Sequence, residues 1–142
     1  MIVLDTNVVS ELLKPVPETR VLEWVNRQPE ASLYLSSVTV AELRAGVAYL
    51  AEGARKRALS DALETSLLPL FSGRILNFDF DVTPAFARIS RHAKTVGRSM
   101  AFADTAIAAI AFHNAFALAT RDVSDFECSL VRLINPWQLQ VQ

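Results

Sequence analysis

Four acidic residues stand where a folded chain would place them for chemistry. Asp5 directly follows the apolar run Ile2, Val3, Leu4, and Asp122 follows FALAT at 116–120 with only Arg121 between. Glu42 and Asp104 lie near the beginnings of segments with helical patterning. A short continuous apolar run reads as a strand buried on both faces, so Asp5 and Asp122 sit where strands leave a sheet. In open parallel sheets ligands bind outside the carboxyl ends of the strands, and the helix after each strand starts at that same edge. Such a topology gathers the four acids into one cleft. Crowded carboxylates repel, and no lysine or histidine adjoins any of them in sequence, so the cluster needs protonation or a cation. Hard oxygen ligands suit Mg²⁺ or Mn²⁺. The chemistry that follows is metal-assisted hydrolysis of a phosphate ester, the ion lowering the pKa of its water and shielding charge at phosphorus.

Each acid also has a purely structural explanation. Asp5 could form an Asx-turn at a strand end, and Asp122 could cap the turn after its strand. Thr39, Val40, Ala41 and Glu42 spell T-x-x-E, a capping box in which Glu42 satisfies the Thr39 amide. Asp104 could be an acid favoured by the dipole at a helix N-terminus. Four caps converging on one edge is the less economical account.

The elements that must position these residues alternate along the chain. After the first strand, VVSELL reads as a short helix ended by Lys14 and Pro15, and PETRVLEWVNRQP as an amphipathic helix with Val21, Leu22, Trp24 and Val25 inward. LYLSS is a brief strand. TVAELRAGVAYLAEG reads as a helix with Val40, Leu43, Val47 and Leu50 on one stripe, stopping at Gly53. A further helix covers 54–71, RILNF is a third strand, Pro84 opens a helix ending near Gly97, and 101–113 is helical again. Strands at 116–120 and 131–134 complete the pattern. Strands alternating with helices imply right-handed crossovers and a mainly parallel sheet covered on both faces.

Bulk properties narrow the classes. One domain spanning 1–142 is the expectation for 142 residues. The 51% hydrophobic share points to a thoroughly buried sheet or a surface reserved for another chain. A net charge of −1 supplies no overall field toward nucleic acid, so an anionic substrate needs a local patch. Candidates are Arg55, Lys56 and Arg57, or Arg88, Arg91, His92, Lys94 and Arg98, the second group leading toward Asp104. The lone Cys128 and the placement of His92 and His113 exclude a zinc-finger pattern, and the four glycines supply neither GxGxxG nor a Walker A loop. Asp5 interrupts any signal-peptide core, and the apolar stretch 101–120 carries Asp104, His113 and Asn114, so the expectation is a cytoplasmic protein without a membrane span.

DTN at 5–7, TVAELRAGV at 39–47, FADTAIAAIA at 102–111 and TRDVSDF at 120–126, with LLPLFSGRIL at 67–76 and the closing NPW at 135–137, resemble the successive motifs of PIN-domain ribonucleases of the VapC toxin type. The resemblance implies a three-layer α/β/α PIN-like domain with a mainly parallel central sheet. Position by position, it implies that Asp5, Glu42, Asp104 and Asp122 bind Mg²⁺ or Mn²⁺, with Thr6 and Asn7 supporting the site by hydrogen bonds. Where some relatives carry a further acid, this chain has Ala101 and Ala103. Asp125 reads as an outer acid of the site or a turn cap. The resemblance also implies RNA as substrate, products with 5′-phosphate and 3′-hydroxyl ends, and a homodimer. It implies a small antitoxin of the VapB or FitA type, through which operator DNA is bound.

The resulting expectation is a metal-dependent endoribonuclease, the toxin of a type II toxin–antitoxin pair. The alternative is a non-catalytic PIN-like interaction subunit whose acidic cleft only receives a partner's arginine and which acts in transcriptional regulation.

Overall fold

Side chains alternate across the first strand, β1 (Ile2–Leu4): Ile2 and Leu4 join one buried cluster and Val3 another, so hydrophobic layers cover both faces of the strand. In the computed structural model, which describes residues 1–138, four more strands follow: β2 (Leu33–Ser36), β3 (Ile75–Leu76), β4 (Ala117–Ala119) and β5 (Leu133–Ile134). All pair in parallel, in the order β3-β2-β1-β4-β5, with Ile2 opposite Leu33 on one side and opposite Ala117 on the other. Residues 139–142, the tail of the expected domain, lie outside the described residues.

One face of the sheet is covered by α1 (Thr6–Leu12), α2 (Thr19–Arg27), α3 (Ser37–Ala48) and α4 (Ala54–Asp61), the last continuing through a π-helical turn (Ala62–Leu67) into α5 (Leu68–Leu70). Val8, Val9, Val21, Val40, Leu43, Val47 and Leu63 bring these helices onto Leu4 and Leu35. The opposite face carries α6 (Thr83–Thr95) and α7 (Phe102–His113), with the short α8 (Val123–Phe126) packed beside them through Phe126. In α7 every residue from Thr105 to Ala111 is buried, and its alanines let the helix lie close against the strands. Gly97 joins α6 to α7 with a φ of +72°, a left-handed conformation that glycine adopts without a Cβ clash. Among the described residues no helix is long and apolar enough to cross a membrane.

Several local expectations shift, and three bear on the cleft and its neighbouring groove. Helix α1 begins at Thr6 rather than Val8, because Asp5 takes the N-cap position and accepts a hydrogen bond from Thr6 N at 2.8 Å. Leu22 is 40% exposed instead of inward; it lines an open apolar groove between α2 and the π-helical turn. Helix α3 ends at Ala48, five residues before Gly53, whose φ of +155° instead serves the turn into α4.

Chain order fixes where a ligand can enter. From β1 the chain steps outward to β2 and β3, then returns to the other side of β1 for β4. The crevice beyond the carboxyl ends of β1 and β4 is therefore the topological switch point of the sheet.

Candidate active site

At that switch point lies an open cleft of about 430 Å³, lined by Asp5, Glu42, Asp104 and Asp122 together with Thr6, Asn7, Ser10, Glu11, Lys14, Arg121 and Trp137. The four acids arrive from four places: the end of β1, the second turn of α3, the first turn of α7 and the turn after β4.

Asp5 is buried and bonded on both oxygens. Its Oδ1 accepts from Thr6 N at 2.8 Å and its Oδ2 from the Thr120 hydroxyl at 2.8 Å. Burial nevertheless raises its pKa from 3.8 to about 6, aided by the charges of Asp104 and Glu42 and opposed by those two hydrogen bonds. Thr120, fully buried, also accepts from Asn7 Nδ2 at 3.3 Å and from Asp122 N at 3.1 Å. Thr120 belongs to TRDVSDF at 120–126, yet a hydroxyl residue type carries no sequence signal that it joins three elements.

Asn7 fixes the turn after β4. Its Nδ2 donates to Asp122 Oδ2 at 3.0 Å and its Oδ1 accepts from Arg121 N at 3.2 Å. Thr6 works on the other side: its hydroxyl donates to Glu42 Oε1 at 2.6 Å.

That bond removes the capping-box explanation of Glu42. The N-cap of α3 is Ser36, whose Oγ accepts from Thr39 N at 2.9 Å, so Thr39 lies inside the helix and has no need of Glu42. Glu42 extends from an exposed position in the second turn toward the cleft. Asp104 accepts no hydrogen bond among the described residues. Its pKa is raised, first by burial and then by the charges of Glu42, Asp125 and Asp122. Asp125, in the first turn of α8, thus lies within electrostatic reach of Asp104.

None of the four acids makes an ion pair among the described residues. Neither basic group singled out in the sequence lines the cleft; its cations are Lys14 and Arg121. The second group has other contacts: Arg98 pairs with Glu127 at 2.7 Å, and Arg88 lies over Phe112. Among the described residues no group of three or more His, Cys, Asp or Glu side chains is placed to hold an ion by itself. A hard cation that keeps several waters, takes few direct carboxylate bonds and completes its shell with phosphate oxygens fits this all-oxygen donor set. Burial, and after it mutual repulsion, disfavours the charged forms of Asp5 and Asp104, and such a cation would offset both.

The raised pKa of Asp5 sets a stability prediction with a definite sign. Between 3.8 and about 6 the folded state binds more protons than the unfolded, so this contribution is present at low pH and lost as pH rises through 6. For Asp5 alone the linkage amounts to roughly 3 kcal/mol at most. Glu11, held below its usual 4.5 first by its hydrogen bond from Lys14, acts oppositely, but only as pH falls below that value. Denaturation midpoints in chelator are therefore expected to be higher near pH 5 than near pH 7.5. A midpoint flat or rising across that interval would contradict the burial effect at Asp5.

The PIN domain family model matches residues 2–127. Toxin FitB of Neisseria gonorrhoeae is 49% identical over 96% of this chain and 99% of its own length. VapC ribonuclease Y4jK of Sinorhizobium fredii is 46% identical over 97% of this chain and 99% of its own. A solved structure of FitAB bound to a DNA fragment superposes with a TM-score of 0.93 at 47% identity, covering 99% of both chains.

Proposed function

The chain belongs to the PIN-domain family, and from that premise we propose that it is the ribonuclease toxin of a toxin–antitoxin pair. In this reading Asp5, Glu42, Asp104 and Asp122 hold Mg²⁺ or Mn²⁺ and the protein hydrolyses RNA phosphodiester bonds. The observation that carries the reading is the convergence of these four carboxylates on one cleft at the switch point, with no cation paired to any of them among the described residues.

When bound, a divalent ion supplies two things that clustered carboxylates lack, acidification of water and positive charge beside the phosphate. The chain's own groups do the positioning. Thr120 and the Thr6 amide pin both oxygens of Asp5, Asn7 turns Asp122 into the cleft, and the Thr6 hydroxyl draws in Glu42. Asp104, without a hydrogen bond among the described residues, keeps its oxygens for the ion.

The partner side of the proposal has its own support. The groove of about 550 Å³ lined by Leu12, Leu13, Leu22, Val25, Leu67 and Phe71 adjoins α1, which also lines the acidic cleft. A small antitoxin bringing apolar side chains to the groove and an arginine to the acids would cover both. Operator DNA would then be bound through that antitoxin. A homodimer, a cytoplasmic location and a single domain over 1–142 complete the reading.

Cleavage of a panel of tRNAs and mRNAs by the purified protein is the test. Activity is expected with Mg²⁺ or Mn²⁺, is expected to vanish in excess EDTA and to return with added Mn²⁺, and is expected to be suppressed by the co-purified antitoxin. Undiminished cleavage in excess chelator would refute the mechanism. No cleavage of any RNA, with the partner complex intact, would favour the interaction-subunit alternative.

A further inference from the structure

Beyond the acids, the cleft has a second end of opposite sign. Thr6, Asn7, Ser10, Glu11 and Lys14 all line it and recur at intervals of one helical turn or less, so α1 forms one wall, with Lys14 just past its C-terminus. The eight residue steps from Thr6 to Lys14 correspond to about 12 Å along the axis at a helical rise. The Lys14 backbone therefore stands at the far end of this wall from Thr6, with its ammonium turned back to Glu11.

The side chain of Lys14 is held rather than free. Its Nζ donates to Glu11 Oε2 at 2.7 Å, and the other oxygen of Glu11 accepts from Glu18 N at 2.8 Å. Glu11 is buried, with 6% of its surface exposed, so it acts as a fixed anchor. An ammonium carries three donors, and this one uses a single donor on the anchor. Arg121 is built in from a different direction. Its amide donates to Asn7 Oδ1 at 3.2 Å and its carbonyl accepts from Asn135 Nδ2 at 3.3 Å. Its guanidinium lies 5.5 Å from the ring centroid of Trp137. Trp137 is itself fixed, its amide donating to Asn135 Oδ1 at 3.0 Å and its carbonyl accepting from Arg20 Nη1 at 3.3 Å. Arg121, Glu11 and Lys14 line the same cleft, and the charge of Arg121 is the least of the causes that lower the pKa of Glu11. Arg121 makes no ion pair among the described residues, so Lys14, Glu11 and Arg121 together leave one positive charge facing the cleft.

We propose that Arg121, lying over the Trp137 ring, and Lys14, oriented by Glu11, form a phosphate-binding subsite for an RNA phosphate neighbouring the one at the carboxylates. A polyanion entering an acidic cleft needs a compensating cation, and a planar guanidinium held over an indole ring presents its donors with less entropy left to lose than a free one. Adjacent residues thus divide the labour: Asp122 faces the acids, and Arg121 the strand's backbone. The identity of the ligand rests on the ribonuclease reading; the subsite itself rests on the geometry.

The test is fluorescence anisotropy of a 5′-fluorescein-labelled oligouridylate in Ca²⁺, titrated at several KCl concentrations, with the probe checked on a gel afterwards. Wild type, Arg121→Gln, Arg121→Lys and Lys14→Gln are compared, each with a thermal melt. Arg121→Gln keeps the backbone hydrogen bonds of residue 121 and is expected to bind about tenfold more weakly. Its log–log salt slope should fall by about 0.7, the value for one lost contact to a single strand. Lys14→Gln is expected to lose about threefold, because Glu11 already offsets part of its charge. Arg121→Lys should keep the slope and lose part of the affinity. Wild-type affinity and slope in Arg121→Gln would overturn the proposal, as would weakened binding with an unchanged slope. Intact RNA binding with lost affinity for the antitoxin would overturn it too, assigning the cations to a protein partner. A normal Arg121 effect in a protein that never cleaves RNA would leave the subsite standing and refute the ribonuclease reading instead.

Discussion

Asp104→Asn is expected to lower single-turnover RNA cleavage at least about a hundredfold, comparable to the loss of one preorganised electrostatic contact. The metal-free fold is expected to be as stable as wild type or slightly more so. Both halves come from the same geometry. Asp104 is partly exposed in the first turn of α7 and accepts no hydrogen bond among the described residues, so an amide of equal shape breaks nothing there. Its carboxyl sits above its usual pKa through burial and the charges of Glu42, Asp125 and Asp122, so neutralising it relieves strain. The rise in melting temperature on adding Mn²⁺ should shrink in the variant, because the ion has lost a ligand charge. Asp5→Asn would be a poorer probe. Thr120 donates its hydroxyl proton to Asp5 while accepting from Asn7 and Asp122, so an amide nitrogen at residue 5 would set donor against donor.

Glu42→Gln is expected to lose cleavage by a similar factor, about a hundredfold, without disturbing α3. A glutamine oxygen can still accept from Thr6, now at 2.6 Å, and the start of the helix is secured by Ser36 rather than by residue 42. What disappears is the charge alone. Melts with and without Mn²⁺ alongside single-turnover cleavage would separate the two roles. Wild-type turnover and wild-type metal stabilisation together would remove Glu42 from the site and leave Asp5, Asp104 and Asp122.

Sequence patterning carried the parallel sheet and the meeting of the four acids, because both follow from where apolar runs end and helices begin. It mislocated the start of α3. Ser36, Ser37 and Thr39 all have capping side chains, and the pattern T-x-x-E favoured the wrong one by three residues; only the Thr39 amide, bonded to Ser36, decides between them. The same limit hid the cations of the cleft. Lys14 and Arg121 belong to the turn after α1 and the turn after β4, and their approach depends on backbone paths tied by Glu11, Asn7 and Asn135. Side chains that join distant segments, such as Thr120, leave no periodic trace. Charge runs such as 55–57 are conspicuous in a sequence, yet none of those residues lines the cleft.

The central claim is that a hard divalent cation, held by these acids, governs RNA cleavage. Single-turnover cleavage of one RNA substrate by wild type and Asp104→Asn, followed as Mn²⁺ is titrated into chelator-treated protein, tests it most directly. The account predicts no cleavage by wild type without the ion and a saturable rise with it. For Asp104→Asn it predicts a curve displaced to at least about tenfold higher Mn²⁺ and a lower plateau, as for loss of a charged ligand contact. Equal curves for the two proteins, or full wild-type cleavage before any Mn²⁺ is added, would contradict it.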